Sequence, residues 1–389
     1  MDIVKEKIDQ ATKLLAQLSL DCWIIFVRET PMMSDPTLPM VIGIDVVWQS
    51  FFIYTRQGDA FALVGNFDAE DFRRSGRFTE VIAYTKGVSQ DFRKLLNRID
   101  PMQIAVNFST NNVAADGLSH GMYLLLQNYL KKTPYTDKIV SAEELVSKLR
   151  SRKLPSELDL LKKAATLADD VWKNAVKKIG PGMSERAVAD VLDGLIKKTG
   201  CVPSFPTIVN AGAKTKPGHS DPTDAVLEPG DLLHVDFGVQ YKNYCSDIQR
   251  LLYVKRPKEK SPPKELLKAF ETVNNIITET ATLSKPGVKG YRIDKRAREM
   301  LKQAGYPEYQ HALGHQLGRD VHDGGAIIGP KWERYGITPV MPLELNNAFT
   351  LELEINLPSI GCVGLEEDIY VSESGGRFLG TRQMELVVK

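Results

Sequence analysis

Residues 179–200 read IGPGMSERAVADVLDGLIKKTG, and residues 284–305 read SKPGVKGYRIDKRAREMLKQAG. The two stretches align without a gap. Pro181, Gly182 and Gly200 fall on Pro286, Gly287 and Gly305, all at an offset of 105. Each copy follows a long helical pattern and precedes two β-rich runs that carry a pair of acids. A repeat of this length is too long for a solenoid period. It implies two related α+β halves packed about a pseudo-twofold axis, with whatever the acids hold lying between them.

The first acid pair sits on LLHVDFGVQ (232–240) and YCSDIQRLLYV (244–254), joined by the turn-like YKN. An antiparallel hairpin centred near Tyr241 and Lys242 is expected to set Asp236 opposite Asp247 on one face. The second pair lies on either side of LPSIG (357–361), where a hairpin folded about Ser359 sets Glu352 opposite Glu366. Between the two hairpins comes HALGHQLGRDVHD (311–323), which brings His311, His315 and His322. Four carboxylates converging without a cation repel one another and rise in pKa, and bound metal removes that penalty. Asp236, Asp247, His315, Glu352 and Glu366 together offer one imidazole and four carboxylates, enough for two divalent ions. Asp247 and Glu352 even obey the repeat's offset of 105. Spacing alone leaves Glu352 and Glu354 open as alternatives, because they share a strand face by period two.

At these residues the chain resembles the pita-bread metallopeptidases, the group of proline dipeptidase (prolidase), aminopeptidase P and methionine aminopeptidase. The resemblance spans roughly residues 150 to 389. By it, Asp236 is the first ligand, Asp247 in SDIQR the metal-bridging second, and His315 the sole histidine ligand. Glu352, in Phe349-Thr350-Leu351-Glu352, matches the family's threonine-x-glutamate strand, which favours it over Glu354. Glu366, followed by Glu367, Asp368 and Ile369, matches the second bridging glutamate. His219 in PGHSDP and His322 in DVHD resemble two non-ligand histidines near the scissile bond.

The implied activity is that of an Xaa-Pro exopeptidase in which a hydroxide shared by two ions attacks the peptide carbonyl. Glu352 serves as general base, and His219 and His322 orient substrate, stabilise the intermediate or relay a proton. His311 either lines the substrate pocket or packs. The oxygen-rich donor set with one imidazole suits manganese or cobalt, with zinc or iron as alternatives. The implied substrate is a peptide or dipeptide with proline second, and a homodimer is what the family suggests. A non-peptidase hydrolase or lyase on the same fold, or a binding homologue without catalysis, are the other readings; retention of every ligand argues against the last.

Two positions depart from the family. Leu353-Glu354 stands where Pro-Gly usually follows the glutamate, and Gly364 stands where an arginine usually precedes the last glutamate by two residues. Both bear on substrate choice, since the missing guanidinium would hold carboxylates. Gly364 is expected to leave space for water, for Arg250 or another basic side chain, or for part of an atypical substrate. Otherwise Arg250 is read as a partner of carboxylates. His234, on the same strand face as Asp236, is assigned a structural role, and Cys245 a packing one. Gly314 and Gly318 follow no strand in a phosphate-loop context, so nucleotide binding is not supported.

Composition sets outer limits. A chain of 389 residues with 43% hydrophobic content can form two sizeable cores, and a net charge of +1 offers no attraction to nucleic acid or an anionic membrane. The first 18 residues form a charged amphipathic period without the apolar run of a signal peptide, so a cytoplasmic location is the expectation. Cys22, Cys201, Cys245 and Cys362 lack CxxC spacing and read as free thiols.

Residues 1–150 alternate helical and strand patterns, with strands expected at DCWIIFV, VVWQSFFIYT, ALVG, VIAYT and QIAVNFS. They predict a separate α/β domain, which the family resemblance implies is of the creatinase/prolidase type. It holds only His120 among six histidines, which favours a structural, dimerising or substrate-limiting role. The boundary is expected at SRKLPSE (151–157), with Ser156 capping a helix that runs to about Ile179 and opens the pita-bread catalytic domain, 151–389.

Overall fold

The structure is a computed structural model that describes residues 2–214, 218 and 221–389. These residues cluster into two compact units, one up to Arg150 and one from Ser151 onward.

In the first unit, helices α1 (Ile3–Gln17), α2 (Leu38–Val41), α3 (Ala69–Ser75), α4 (Ser89–Ile99), α5 (His120–Leu130) and α6 (Glu143–Ser151) accompany one mixed sheet. Its strands are β1 (Cys22–Val27), β2 (Ser50–Thr55), β3 (Ala60–Gly65), β4 (Glu80–Tyr84), β5 (Ile104–Val106) and β6 (Ile139–Ser141), in the order β4-β3-β2-β1-β5-β6. Every residue of β1, β2 and β3 is buried, which accounts for their near-continuous apolar composition. Two cores flank the sheet. Trp23, Ile25 and Phe52 point into one, and Ile24, Phe51 and Ile53 into the other.

The second unit opens with α7 (Pro155–Val176). Ser156 lies inside this helix rather than capping it. Pro155 takes the first turn, where its missing N–H costs nothing, and the Glu157 carboxylate accepts the Leu154 N–H at 2.8 Å. The helix stops at Val176, short of Ile179. Next come α8 (Glu185–Lys198), strands β7 (Val202–Pro203), β8 (Ile208–Ala211), β9 (Leu232–Phe237), β10 (Val239–Tyr241), β11 (Tyr244–Cys245) and β12 (Ile248–Tyr253), and helices α9 (Lys264–Leu283) and α10 (Gly290–Gln303). Strands β13 (Ala348–Leu357), β14 (Gly361–Ser372), β15 (Gly375–Phe378) and β16 (Val387–Val388) complete the unit.

The repeated sequences become α8 and α10, each 14 residues long. Gly182, Gly200, Gly287 and Gly305 all have φ between 78° and 89°, a left-handed backbone that glycine adopts without a Cβ penalty. That requirement explains why both copies carry glycine at the same places.

The main sheet runs β13-β14-β12-β9-β8, with β15 on β14 and β16 on β12. Strand parity gives it two unlike faces. Leu233, Val235 and Phe237 pack into a core with α7 and α8, while Leu351, Leu353, Ile355, Val363 and Leu365 pack into one with α9 and α10. The intervening His234, Asp236, Gln249, Glu352 and Glu354 line a cavity on the other face.

Candidate metal centre

The register of the two hairpins sets the acids. Glu352 pairs directly with Glu366 in β13–β14, the arrangement expected from a fold about Ser359. The other hairpin differs by one position. Lys242 and Asn243, with φ of 48° and 63°, form the two-residue turn between Tyr241 and Tyr244, so Asp236 pairs with Gln249 rather than with Asp247. Ladder pairing lapses at Gly238 and at Ser246–Asp247, where a Cβ on Gly238 would sit 1.8 Å from the Ser246 carbonyl oxygen. Asp247 thus lies diagonal to Asp236, two residues before its true partner, and still on the same face.

His315 reaches the acids from an extended segment laid along β13. Thr350 N–H donates to His315 O at 3.0 Å and Glu352 N–H to Leu313 O at 2.7 Å. Gly314 permits this approach, because a Cβ there would lie 1.9 Å from Thr350 O. The His315 Nδ1 faces Gln316 O at 3.3 Å, which assigns its proton to that nitrogen and leaves Nε2 with a bare lone pair. That lone pair faces Asp247 Oδ2 at 3.6 Å, Glu352 Oε1 at 3.8 Å and Glu366 Oε1 at 4.0 Å.

Lone pairs aimed at carboxylates call for a cation. Asp236 Oδ1, Asp247 Oδ1 and Glu366 Oε1 are buried without a hydrogen-bond partner, although nearly all such atoms in proteins have one. Ligand atoms of Asp247, His315 and Glu366 lie within 4.8 Å of one another. Burial pushes the Asp236 carboxyl up to about 7, and burial with the neighbouring Asp236 and Glu354 charges pushes Glu352 up to about 8. Burial and neighbouring carboxylates also raise Asp247 and Glu366 well above the usual range, while burial and the His322 ring lower His315 to about 3. Buried carboxylates crowded beside an imidazole held neutral repel one another unless a cation sits among them. The donor set fits divalent cations.

Several supporting groups escaped the sequence reading. Asp368 accepts the Asp247 N–H at 3.1 Å. Gln249 donates its amide to Glu366 Oε2 at 3.0 Å, with Glu352 Oε2 at 3.4 Å and Asp236 Oδ2 at 3.5 Å. Period two from Asp247 would have put Gln249 on the site's face, but a glutamine in a strand carries no signal of its own. Its Oε1 meets His234 Nε2 at 3.0 Å, and His234 Nδ1 meets Asn210 at 3.1 Å. Burial depresses the His234 pKa, so the ring is neutral with a single N–H. Since Gln249 must turn its NH₂ to the acids, its Oε1 accepts from His234 Nε2, and the other ring nitrogen faces Asn210 Oδ1.

Gly364 leaves no vacancy. A Cβ there would lie 2.7 Å from Gln249 Oε1 and 2.8 Å from His234 Nε2, so this neutral pair occupies the room beside it. Arg250 points to the opposite face, where it meets Asp169 at 3.2 Å and Glu367 at 3.1 Å and donates to the Glu366 carbonyl at 3.0 Å. It braces the backbone of β14.

A cavity of about 580 Å³ opens over the acids, lined among others by Ile208, His311, His315, His322, Tyr335, Glu352 and Glu354. The His322 ring stands edge-on to His315 with centroids 4.2 Å apart. The His311 ring packs on Tyr309, and its Nδ1 meets Ala312 O at 2.7 Å. His219 lies outside the described residues. Cys245 is buried, with its thiol on Arg319 O at 3.4 Å and pushed up to about 12 by burial, as a packing group is.

Residues 159–373 match the description Metallopeptidase family M24. The chain belongs to that family. It is 30% identical to the Xaa-Pro dipeptidase of Pyrococcus furiosus over 267 residues, 68% of this chain and 73% of that one. It is 31% identical to YkvY of Bacillus subtilis over 339 residues, 87% of this chain and 88% of that one. Its fold superposes on the Xaa-Pro dipeptidase of Bacillus anthracis with a TM-score of 0.79 at 23% identity, covering 99% of this chain and all of the other. It is an M24 metallopeptidase with the pita-bread fold, and its acids lie on β9, β13 and β14 of the main sheet and just before β12. Among the described residues no helix is long and apolar enough to cross a membrane.

Proposed function

We propose that the chain is a dimetal exopeptidase that hydrolyses Xaa-Pro peptide bonds. The observation that carries this reading is the bare Nε2 of His315 facing carboxylate oxygens of Asp247, Glu352 and Glu366, beside buried partnerless oxygens of Asp236, Asp247 and Glu366, under a peptide-sized cavity. Asp236, Asp247, His315, Glu352 and Glu366 would hold the ions, with manganese or cobalt preferred by this donor set. When bound, two such ions lower the pKa of water towards neutrality and polarise a carbonyl. Glu352 takes the proton of the attacking water, and His322, beside His315 on the cavity wall, donates to the carbonyl oxygen as it gains charge or to the departing proline nitrogen. His219 shares that role by family position. Gln249 holds the ligand carboxylates in place, and Arg250 supports them from behind. In this reading the α7–α8 and α9–α10 halves are related by a pseudo-twofold axis with the ions between them, and the N-terminal unit limits substrate length.

Replacing His322 by Ala is expected to lower kcat by about 10²-fold, the scale of general acid–base assistance, with manganese content unchanged. Metal loss would instead move His322 into the coordination set. A second expectation concerns the substrate's far end. With Gln249 and His234 beside Gly364, and no Lys or Arg among the described lining residues, the cavity offers a free carboxylate no guanidinium. An Xaa-Pro dipeptide and its C-terminal amide should then differ by less than about tenfold in kcat/KM under matched manganese, tenfold being one charged hydrogen bond. A much larger drop for the amide would reveal a compensating cation. Failure to cleave any Xaa-Pro substrate at full metal occupancy would transfer the site to another bond and favour a non-peptidase hydrolase.

A further inference from the structure

We infer that Glu354 determines specificity by binding a cationic side chain on the residue that precedes the cleaved bond, an inference that rests on the peptidase reading above. Glu354 follows Glu352 by two on β13 and shares its face, about 6.7 Å further along the strand. Its partner across the ladder is Gly364, so no side chain stands directly opposite it, and the β14 side chain that reaches it is the small Cys362. The room beside that glycine is closed by the neutral His234–Gln249 pair, and the Glu354 carboxylate faces the cavity.

Among the described residues no cation pairs with it, and its hydrogen bond comes from the Cys362 thiol at 3.7 Å, a weak donor. The described lining residues include no Lys or Arg. Four ligand carboxylates would balance two divalent cations, and Asp323 is paired with Lys153, which leaves Glu354 uncompensated among the described lining residues. A fixed anion in a water-poor cavity selects a cation and disfavours an anion at the same place.

The separation decides which cation. The α-ammonium of the first residue is held within one residue of the scissile carbonyl, less than about 3.8 Å. With the carbonyl set against Glu352, Glu354 lies about 6.7 Å along the strand from that point, which favours the end of a lysine or arginine side chain over the α-ammonium.

The test compares Arg-Pro, norleucine-Pro and their N-acetylated forms on the wild-type enzyme and on Glu354→Gln, each loaded with manganese and assayed for metal content. The expected result is a preference for Arg-Pro over norleucine-Pro of about tenfold, as for a charged hydrogen bond, carried in KM and reduced to near unity by the substitution, with two ions retained. An unchanged ratio overturns the proposal, and so does metal loss from Glu354→Gln. An equal decline on both free dipeptides that vanishes on the acetylated ones overturns the side-chain assignment in favour of the α-ammonium. Calorimetric titration of arginine and norleucine into the same loaded proteins separates this inference from the peptidase reading. Tighter arginine binding that Glu354→Gln removes supports the subsite even if no dipeptide is cleaved, and equal binding overturns it.

Discussion

Glu352→Gln is expected to lower kcat/KM for an Xaa-Pro dipeptide by about 10³-fold or more, because a proton-taking group alone contributes about 10²–10⁴-fold and this one is also a ligand. Metal content should fall below two ions per chain, whereas Glu354→Gln should keep both. Glu352 pairs with Glu366 and has His315 Nε2 3.8 Å away, while Glu354 pairs with Gly364 and turns to Cys362. An amide at position 352 keeps the size of the side chain but brings an NH₂ to a place that needs lone pairs, so it repels the cation rather than merely failing to bind it. Metal analysis of the two variants by mass spectrometry decides the matter. Retention of both ions in Glu352→Gln with loss in Glu354→Gln would reverse the roles of the two glutamates.

The difference between these neighbours marks where sequence reading stops. Period two placed both on one face, and the threonine at position 350 singled out Glu352, which the structure sets against Glu366. The repeat was legible because its helices need left-handed glycines at their ends, and glycine is visible in a sequence. The first hairpin was less so. Whether a turn is centred on Tyr241–Lys242 or on Lys242–Asn243 changes the partner of Asp236, and neither pair contains a glycine to choose between them. Lys242 and Asn243 both adopt positive φ, which asparagine tolerates and lysine rarely does. The reading of Gly364 went wrong for a different reason. Whether a missing side chain leaves a hole depends on what crosses from neighbouring strands, and His234 and Gln249 sit on β9 and β12, more than a hundred residues earlier. Packing between distant segments does not print itself in local pattern. Nor does the cap of α7, where proline and a reaching glutamate displaced the serine that pattern alone would choose.

Metal removal should make the protein's stability fall as pH rises. In the metal-free fold the Asp236 and Glu352 carboxyls stand at about 7 and about 8, against ordinary values of 3.8 and 4.5, so the folded chain keeps protons that the unfolded chain releases. By linkage, stability then declines with pH from the unfolded values up through the folded ones. His315 acts the other way. Lowered to about 3 from 6.5, it makes the unfolded chain the better proton binder and so raises stability with pH, but only below about 6.5. The window from about pH 6.5 to 8 is therefore where the carboxylates act unopposed by that histidine. A group still titrating there contributes up to about 1.4 kcal/mol per pH unit, so the chelator-treated protein should lose a few kcal/mol and several degrees of melting temperature across the window. Saturating manganese should reverse the slope, because the ions bind the deprotonated carboxylates and their affinity grows as protons leave. At 100 times its dissociation constant each ion adds about 2.7 kcal/mol. Scanning calorimetry of chelated and manganese-loaded protein at both ends of the window measures all of this. A metal-free melting temperature that rises with pH would mean that the acids are already ionised in the empty fold, and that some cationic group has taken the place assigned to the metals.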